Sequence, residues 1–299
     1  MQDETRAKIL IVGAGGRLGA ALLREYGAGH AVSGFARAQL DVAEAAQLRR
    51  TVTAHDFEVL INCAAQTNVD RCETEQAEAF AINAEAPRVL AEICNAKGAR
   101  LIQISTDYVF DGEQQQPYRE EDEPRPISVY GASKHAGDQH VLASGADHVV
   151  ARVSWVFGPD RPSFLDAIIK RARAEEKVEA IADKISTPSY TLDIAEMLRL
   201  FLGRATSGGI YHLTNDGACS WQEYGQWALD CCHAAGVPLR TREVGPLPLA
   251  SMKNFIARRP IFTALATDKY ARLAGRPPRP WRDAVAAYVR EHIAPRAQV

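Results

Sequence analysis

The stretch Ile9-Leu10-Ile11-Val12-Gly13-Ala14-Gly15-Gly16-Arg17-Leu18-Gly19 decides how this chain folds. Four consecutive apolar residues read as a strand buried on both faces. The glycines after it permit a tight turn and a close backbone approach to a ligand, and a helix runs from Leu18 to about Tyr26. A glycine turn alone is common to many strand-to-helix junctions. In this strand–turn–helix setting it reads as a dinucleotide loop, with the pyrophosphate at the helix N-terminus.

Working outward, short apolar runs alternate with helical patterns. His30 to Phe35, Val59 to Asn62, Leu101 to Ser105 and His148 to Val153 read as further strands, with helices between them. Continuous apolar strands separated by helices predict a parallel sheet covered on both faces, wound in both directions as a Rossmann fold. Past about Pro159 the alternation weakens. Ser163 to Lys177 reads as a helix and Tyr211-His212-Leu213 as a late strand, and Pro-rich connections such as Pro277-Pro278 follow. The expected α/β organisation is therefore a dinucleotide-binding domain over residues 1–158 and 180–215. A smaller C-terminal α/β substrate lobe takes residues 159–179 and 216–299.

Composition excludes several classes. The 299 residues are 46% hydrophobic and 24% charged, and a net charge of −2 offers no attraction for nucleic acid or an acidic membrane surface. Six cysteines are scattered without metal-ligand spacing, which favours a reducing cytoplasm over a disulfide framework. Met1 to Lys8 is polar and unlike a signal peptide, and no apolar run reaches bilayer length.

The candidate site residues cluster at strand ends. The second strand closes on Gly34-Phe35-Ala36-Arg37, with an arginine where an NAD-binding chain would carry an acid. Arg37 is either a reader of the extra phosphate of NADP or a plain surface residue, so NADPH is expected and NADH stays open. Asp41-Val42 flanks an adenine or, for Asp41, caps a helix. Ala64, Ala65 and Gln66, followed by Thr67, leave room for a ligand or serve helix–sheet packing.

Downstream, Tyr130-Gly131-Ala132-Ser133-Lys134 puts a tyrosine and a lysine four apart on one helix face, after Thr106 at the end of a strand. An ammonium there is expected to lower the tyrosine pKa, so that the phenol can exchange a proton with a carbonyl or alcohol oxygen. Thr106 would hold the same oxygen. With a nicotinamide, the set amounts to a carbonyl reductase.

These motifs resemble those of the extended short-chain dehydrogenases/reductases, and within them the dTDP-4-dehydrorhamnose reductase family. The more particular match is Ser105-Thr106-Asp107-Tyr108-Val109-Phe110-Asp111-Gly112, then Arg152-Val153-Ser154-Trp155-Val156-Phe157-Gly158, Thr187-Pro188 and Arg259-Pro260. The resemblance implies a catalytic set of Thr106, Tyr130 and Lys134. It implies dinucleotide contacts at Gly16, Arg17 and Leu18 and again at Ala64, Ala65 and Gln66. Asp107 and Trp155 would line a dTDP-sugar pocket, although Trp155 also suits core packing. Arg259, or its neighbour Arg258, would hold the diphosphate. The implied reaction reduces the C4 ketone of a dTDP-4-dehydro sugar. Another nucleotide-linked 4-keto-6-deoxy sugar is the alternative, as is a non-catalytic subunit like the regulatory subunit of methionine adenosyltransferase. A homodimer is compatible with the resemblance. Some relatives bridge their dimer with magnesium through a glutamate soon after the glycine loop. Here Gly19 is followed by Ala20-Ala21-Leu22-Leu23-Arg24, so no metal is expected.

Overall fold

The computed structural model describes residues 6–294, so the first five residues of the polar N-terminal stretch lie outside it. The first half of the chain alternates as the apolar runs suggest. It comprises β1 (Lys8–Val12), α1 (Arg17–Gly27), β2 (Ala31–Phe35), α2 (Ala45–Thr53) and β3 (Val59–Asn62). Next come α3 (Val69–Thr74), α4 (Gln76–Phe80), α5 (Ala86–Lys97), β4 (Arg100–Thr106), α6 (Val129–Ser144) and β5 (Val149–Val153). A sixth strand, β6 (Gly209–His212), joins much later. All six are parallel, in the order β6-β5-β4-β3-β1-β2.

Both faces of this sheet are covered over β1, β3, β4 and β5, whose residues are nearly all buried. Ile9, Ile11, Ile61, Ile102 and Ala151 pack towards Leu18 and Leu22 of α1 and towards Ile194 and Leu198 of α8 (Thr191–Leu198). Leu10, Val12, Leu60, Leu101 and Val150 pack on the other side with Leu48 of α2 and Val89 and Leu90 of α5. Between α4 and α5 the helix widens to π geometry over Ala81–Glu85. There Asn83 bonds the backbone of Gln66 and the Ser133 hydroxyl, fastening this face to α6.

A second core surrounds Phe157, Leu165, Ile168, Tyr224, Leu229, Trp281 and Tyr288. It is built from α7 (Phe164–Ala174), α9 (Trp221–Ala234) and α11 (Trp281–Tyr288), with Val178–Ile181 paired in parallel to Val244–Leu247. A capping box of Ser220 and Glu223 starts α9. The helix α10 (Asp268–Ala274) instead returns to the sheet, where Tyr270 packs in the first core. No helix among the described residues is long and apolar enough to cross a membrane.

His212, at the end of β6, is wholly buried, and its Nδ1 sits 3.2 Å from the Ala266 carbonyl. Burial, reinforced by the charge of Arg152, lowers its pKa from 6.5 to about 3. The imidazole is thus neutral in the fold but protonated in the unfolded chain below about pH 6.5. Its contribution to stability is present above that pH and lost as the pH falls towards 3. Urea denaturation of wild type and His212→Gln between pH 7 and pH 4 should show a shallower acid loss in the variant. Parallel curves would contradict the assignment.

Candidate functional site

The strand order reverses at β1. The chain steps outward to β2 and then returns to lay β3 on the other side. The carboxyl ends of these strands therefore open a crevice. Gly13 lies at its base with φ +83°, in the left-handed region that suits glycine. The amides of Gly13 and Ala14 both donate to the Phe35 carbonyl, holding the loop to the end of β2. A Cβ on Gly13 would lie 2.6 Å from the Ala64 nitrogen, and one on Gly19 would lie 2.3 Å from the Gly13 carbonyl oxygen. A side chain at Gly13 would push the loop off the end of β3, and one at Gly19 would push α1 off the loop, so both glycines keep the cradle's backbone in place. The residues present therefore fit a dinucleotide.

Two cavities share this crevice. One, of about 440 Å³, is lined by Gly13, Gly16, Arg37, Asp41, Val42, Ala64, Ala65, Gln66 and Thr67. The other, of about 620 Å³, is lined by Gly16, Arg17, Leu18, Thr67, Thr106, Asp107, Tyr130, Lys134 and Trp155. Gly16, Cys63, Ala65 and Thr67 belong to both walls, so the two adjoin. Most of the residues singled out from the sequence are thereby brought to one place. Gly19 lies behind the loop and lines neither cavity.

Around Tyr130 the electrostatics differ from the sequence expectation. Ser128 caps α6 by accepting from the Gly131 amide, which sets Tyr130 in the first turn, its ring edge-on to Tyr108 at 5.5 Å. Burial raises the phenol's pKa well above its ordinary value, and hydrogen bonding with Thr106 opposes the rise. Lys134 shares the helix face, but its ammonium donates to the Ile104 carbonyl at 2.6 Å. Burial lowers the lysine's own pKa, against the nearby Asp138 carboxylate, which raises it. Lys134 is not among the groups that shift the tyrosine, and desolvation moves the phenol in the opposite direction to the one its spacing predicts. The tyrosine is a protonated phenol at neutral pH.

Other residues take up duties that their spacing does not reveal. Asp107 is buried and accepts from Thr263 Oγ1 at 2.6 Å, Ser186 Oγ at 3.0 Å and Thr106 Oγ1 at 3.1 Å. Arg17 directs its fork at the carbonyls of Val156, Arg161 and Pro162 rather than into open crevice. The Asp41 carboxylate accepts from the Ala43 amide and does not cap α2, whose cap is Glu44. Gln66 accepts from the Asn68 amide. Arg37 is largely exposed, with a long 3.5 Å contact to Glu78. Arg259 lines neither cavity. It pairs with Asp70 at 2.8 Å and stacks over Phe255, contacts that hold its guanidinium in place.

Trp155 combines both sequence readings. It lines the larger cavity and also packs on the second core, ring-stacked with Tyr224 at 6.2 Å and tilted against Trp221 at 5.5 Å. Its φ of +39° is unusual for a bulky residue and costs on the order of 1–3 kcal/mol, which the surrounding rings must outweigh. Phe164, Trp221 and Tyr224 complete this aromatic wall and were not singled out from the sequence. The available signal was the i, i+3 spacing of Trp221 and Tyr224 at a helix start.

A crevice with a glycine cradle, a buried tyrosine and lysine, and an aromatic wall has counterparts among known proteins. The family described as RmlD substrate binding domain matches residues 7–293. The chain belongs to that family. A dTDP-4-dehydrorhamnose reductase of Streptomyces griseus is 36% identical over 293 residues, covering 95% of this chain and 94% of the relative. The spore coat polysaccharide biosynthesis protein SpsK of Bacillus subtilis is 33% identical, covering 95% and 97%. Among solved structures, a dTDP-4-dehydrorhamnose reductase from Bacillus anthracis in complex with NADP superposes with a TM-score of 0.87. It is 30% identical and covers 95% of this chain and 99% of its own. The six-stranded parallel sheet agrees with that Rossmann-like architecture.

Cys63 lies in the shared wall of the two cavities, yet its surroundings push the thiol up to about 12. The thiolate is the reactive form. Iodoacetamide at pH 7.5 should therefore leave Cys63 unmodified while the protein is folded, and modify it after denaturation, as read by peptide mass spectrometry. Rapid labelling of the native chain would contradict this.

Proposed function

We propose that this chain reduces the C4 ketone of dTDP-4-dehydro-L-rhamnose to give dTDP-L-rhamnose, with NADPH as the preferred reductant and NADH as an accepted one. One observation carries the reading: Thr106, Tyr130 and Lys134 line a single cavity that also reaches Gly16 and adjoins the glycine cradle. Full-length relatives bearing the reductase name support it. The chemistry supplied by the cofactor, when bound, is hydride donation. Gly13 and Gly16 make room for its backbone, with Arg17 and Leu18 beside them and Ala64, Ala65 and Gln66 facing them. Asp41 and Val42 border the adenosine end.

Tyr130 carries the proton to the developing alkoxide. Its raised pKa keeps that proton in place until the oxygen becomes basic enough to take it. The Thr106 hydroxyl holds the same oxygen. Lys134 keeps a positive charge beneath the site and holds the nicotinamide ribose. Thr67, Asp107 and Trp155 border the sugar, where an indole face suits the apolar face of a deoxysugar. Residues 1–158 and 180–215 would serve the dinucleotide, and 159–179 with 216–299 the sugar nucleotide. A homodimer in the cytoplasm completes the reading.

The deciding experiment incubates the protein with enzymatically made dTDP-4-dehydro-L-rhamnose and either nicotinamide, and identifies the sugar formed. A different 6-deoxyhexose would redirect the substrate assignment, and no turnover would remove it. Tyr130→Phe should lower turnover roughly a hundredfold or more while leaving cofactor affinity nearly unchanged. Near-normal turnover would exclude Tyr130 as the proton donor.

Metal should be dispensable. An Mg²⁺ bridge needs several converging carboxylate oxygens. Ala20 and Ala21 stand early in α1, and Arg24 follows, itself paired with Asp160 and Glu25. Rate and size-exclusion measurements in EDTA should match those without it. Dissociation or lost activity that magnesium restores would show a bridging ion.

A further inference from the structure

Arg161 lies on the connection leading into α7, far in sequence from the glycine loop. Its Nε nevertheless donates to the Gly15 carbonyl at 3.0 Å. It lines the adenosine-side cavity together with Ala36, Arg37 and Ala38 from the turn after β2. Among the described residues no carboxylate pairs with Arg161, and its terminal nitrogens have no hydrogen-bond partner. The connection itself is fixed from below, because Arg17 donates to the Arg161 and Pro162 carbonyls. One arginine is thus consumed in positioning the loop, and the other is presented to the cavity.

The Gly15 carbonyl that receives Arg161 sits over the end of β2. A Cβ on Gly15 would lie 3.1 Å from the Ala36 Cβ. That is the edge where a ribose 2′-substituent is read in this fold. Arg37 stands on the same cavity wall, exposed and only loosely held by Glu78, which is itself engaged by Arg71 at 2.8 Å. The cavity's acidic group, Asp41, has one oxygen turned to the Ala43 amide. A phosphate dianion between two guanidinium forks gains charge-assisted hydrogen bonds from both, whereas a bare hydroxyl gains little.

We propose that Arg161, reaching across from the segment that leads into the second core, binds the 2′-phosphate of NADPH opposite Arg37 and so sets the cofactor preference. This rests on the reading of the chain as an NADPH-dependent reductase. It adds a residue that lies outside the glycine loop and the second strand. Because the loop bearing Arg161 is clasped by Arg17, phosphate binding would also draw the two parts of the molecule together at the crevice.

The test is calorimetric and independent of turnover. The full chain and its Arg161→Ala, Arg161→Lys and Arg37→Ala variants are titrated with adenosine 2′,5′-bisphosphate, adenosine 5′-monophosphate, NADPH and NADH. For Arg161→Ala, affinity for the bisphosphate and NADPH should fall roughly tenfold to a hundredfold. Affinity for NADH and the monophosphate should change less than about threefold, the unaltered value showing that the cradle is intact. Arg161→Lys should lie between, since a lysine keeps the charge but loses the fork. Equal losses for NADPH and NADH would overturn the proposal, because Arg161 would then serve the shared pyrophosphate or the loop alone. So would unchanged affinities throughout. If wild type itself binds NADH as tightly as NADPH and ignores the bisphosphate, the NADPH reading falls first and this proposal with it.

Discussion

Six parallel strands cannot be joined by hairpins, and that constraint shapes everything else in this molecule. Each crossover needs a connection long enough to return to the starting edge, and these crossovers lay helices over both faces. Side chains on the sheet's two faces are therefore committed to packing, and only the carboxyl edge of the strands is left for chemistry. The strand-borne part of the candidate site sits there, and Tyr130 and Lys134 reach it from the start of α6. The glycine loop follows β1, Arg37 follows β2, the Cys63–Thr67 run follows β3, Thr106 ends β4 and Trp155 follows β5. The site is concentrated because the fold offers no other place for it.

The same edge must be closed from above, and the second core does this through polar contacts at the seam. Asp107 is the clearest case. A carboxylate so deeply buried is costly unless it is satisfied, and here hydroxyls from Ser186 and Thr263 satisfy it along with Thr106. Hydrogen bonds to a charged group contribute roughly 1.5–3 kcal/mol each, more than neutral ones. The tie also fixes the Thr106 hydroxyl, which accepts from the Tyr108 amide. Nearby, the buried Lys184 ammonium donates to the Pro260 carbonyl, fastening the segment that carries Arg259. Arg17 does the same work at the other end of the crevice.

What the sequence revealed follows the range of the interactions involved. Strand identity, the cradle and the Tyr130–Lys134 face depend on residues a few positions apart, and these were legible from spacing. The roles of Arg17 and Arg259 depend on partners such as Arg161 and Asp70, separated from them by 144 and 189 positions, and spacing carries no trace of such pairs. The aromatic wall is similar. Trp155 was visible as a residue, but its contact with Trp221 and Tyr224 arises only once α9 is docked. The tyrosine's acidity was misjudged for a related reason. A local charge pair is readable from the sequence, while burial, the larger effect here, is a property of the whole fold.

The state of Lys134 shows how far that non-local control extends. A fully buried ammonium with a carbonyl as its hydrogen-bond partner is poorly stabilised, and burial does lower its pKa. The compensating charge is Asp138, one helical turn further along α6 and itself buried. A lone buried carboxylate would take up a proton in turn, and burial indeed raises its pKa. Four groups oppose this: Arg152 of β5, whose Nε lies 3.7 Å away, then Lys134 itself, the Ser105 hydroxyl, which donates at 2.7 Å, and His135. Arg152 is then steadied by the Phe110 ring beneath its guanidinium at 5.1 Å. The charge beneath the candidate site is therefore held by a chain of groups from β4, α6 and β5. Each is poorly solvated alone and tolerable only because the sheet places the next one beside it.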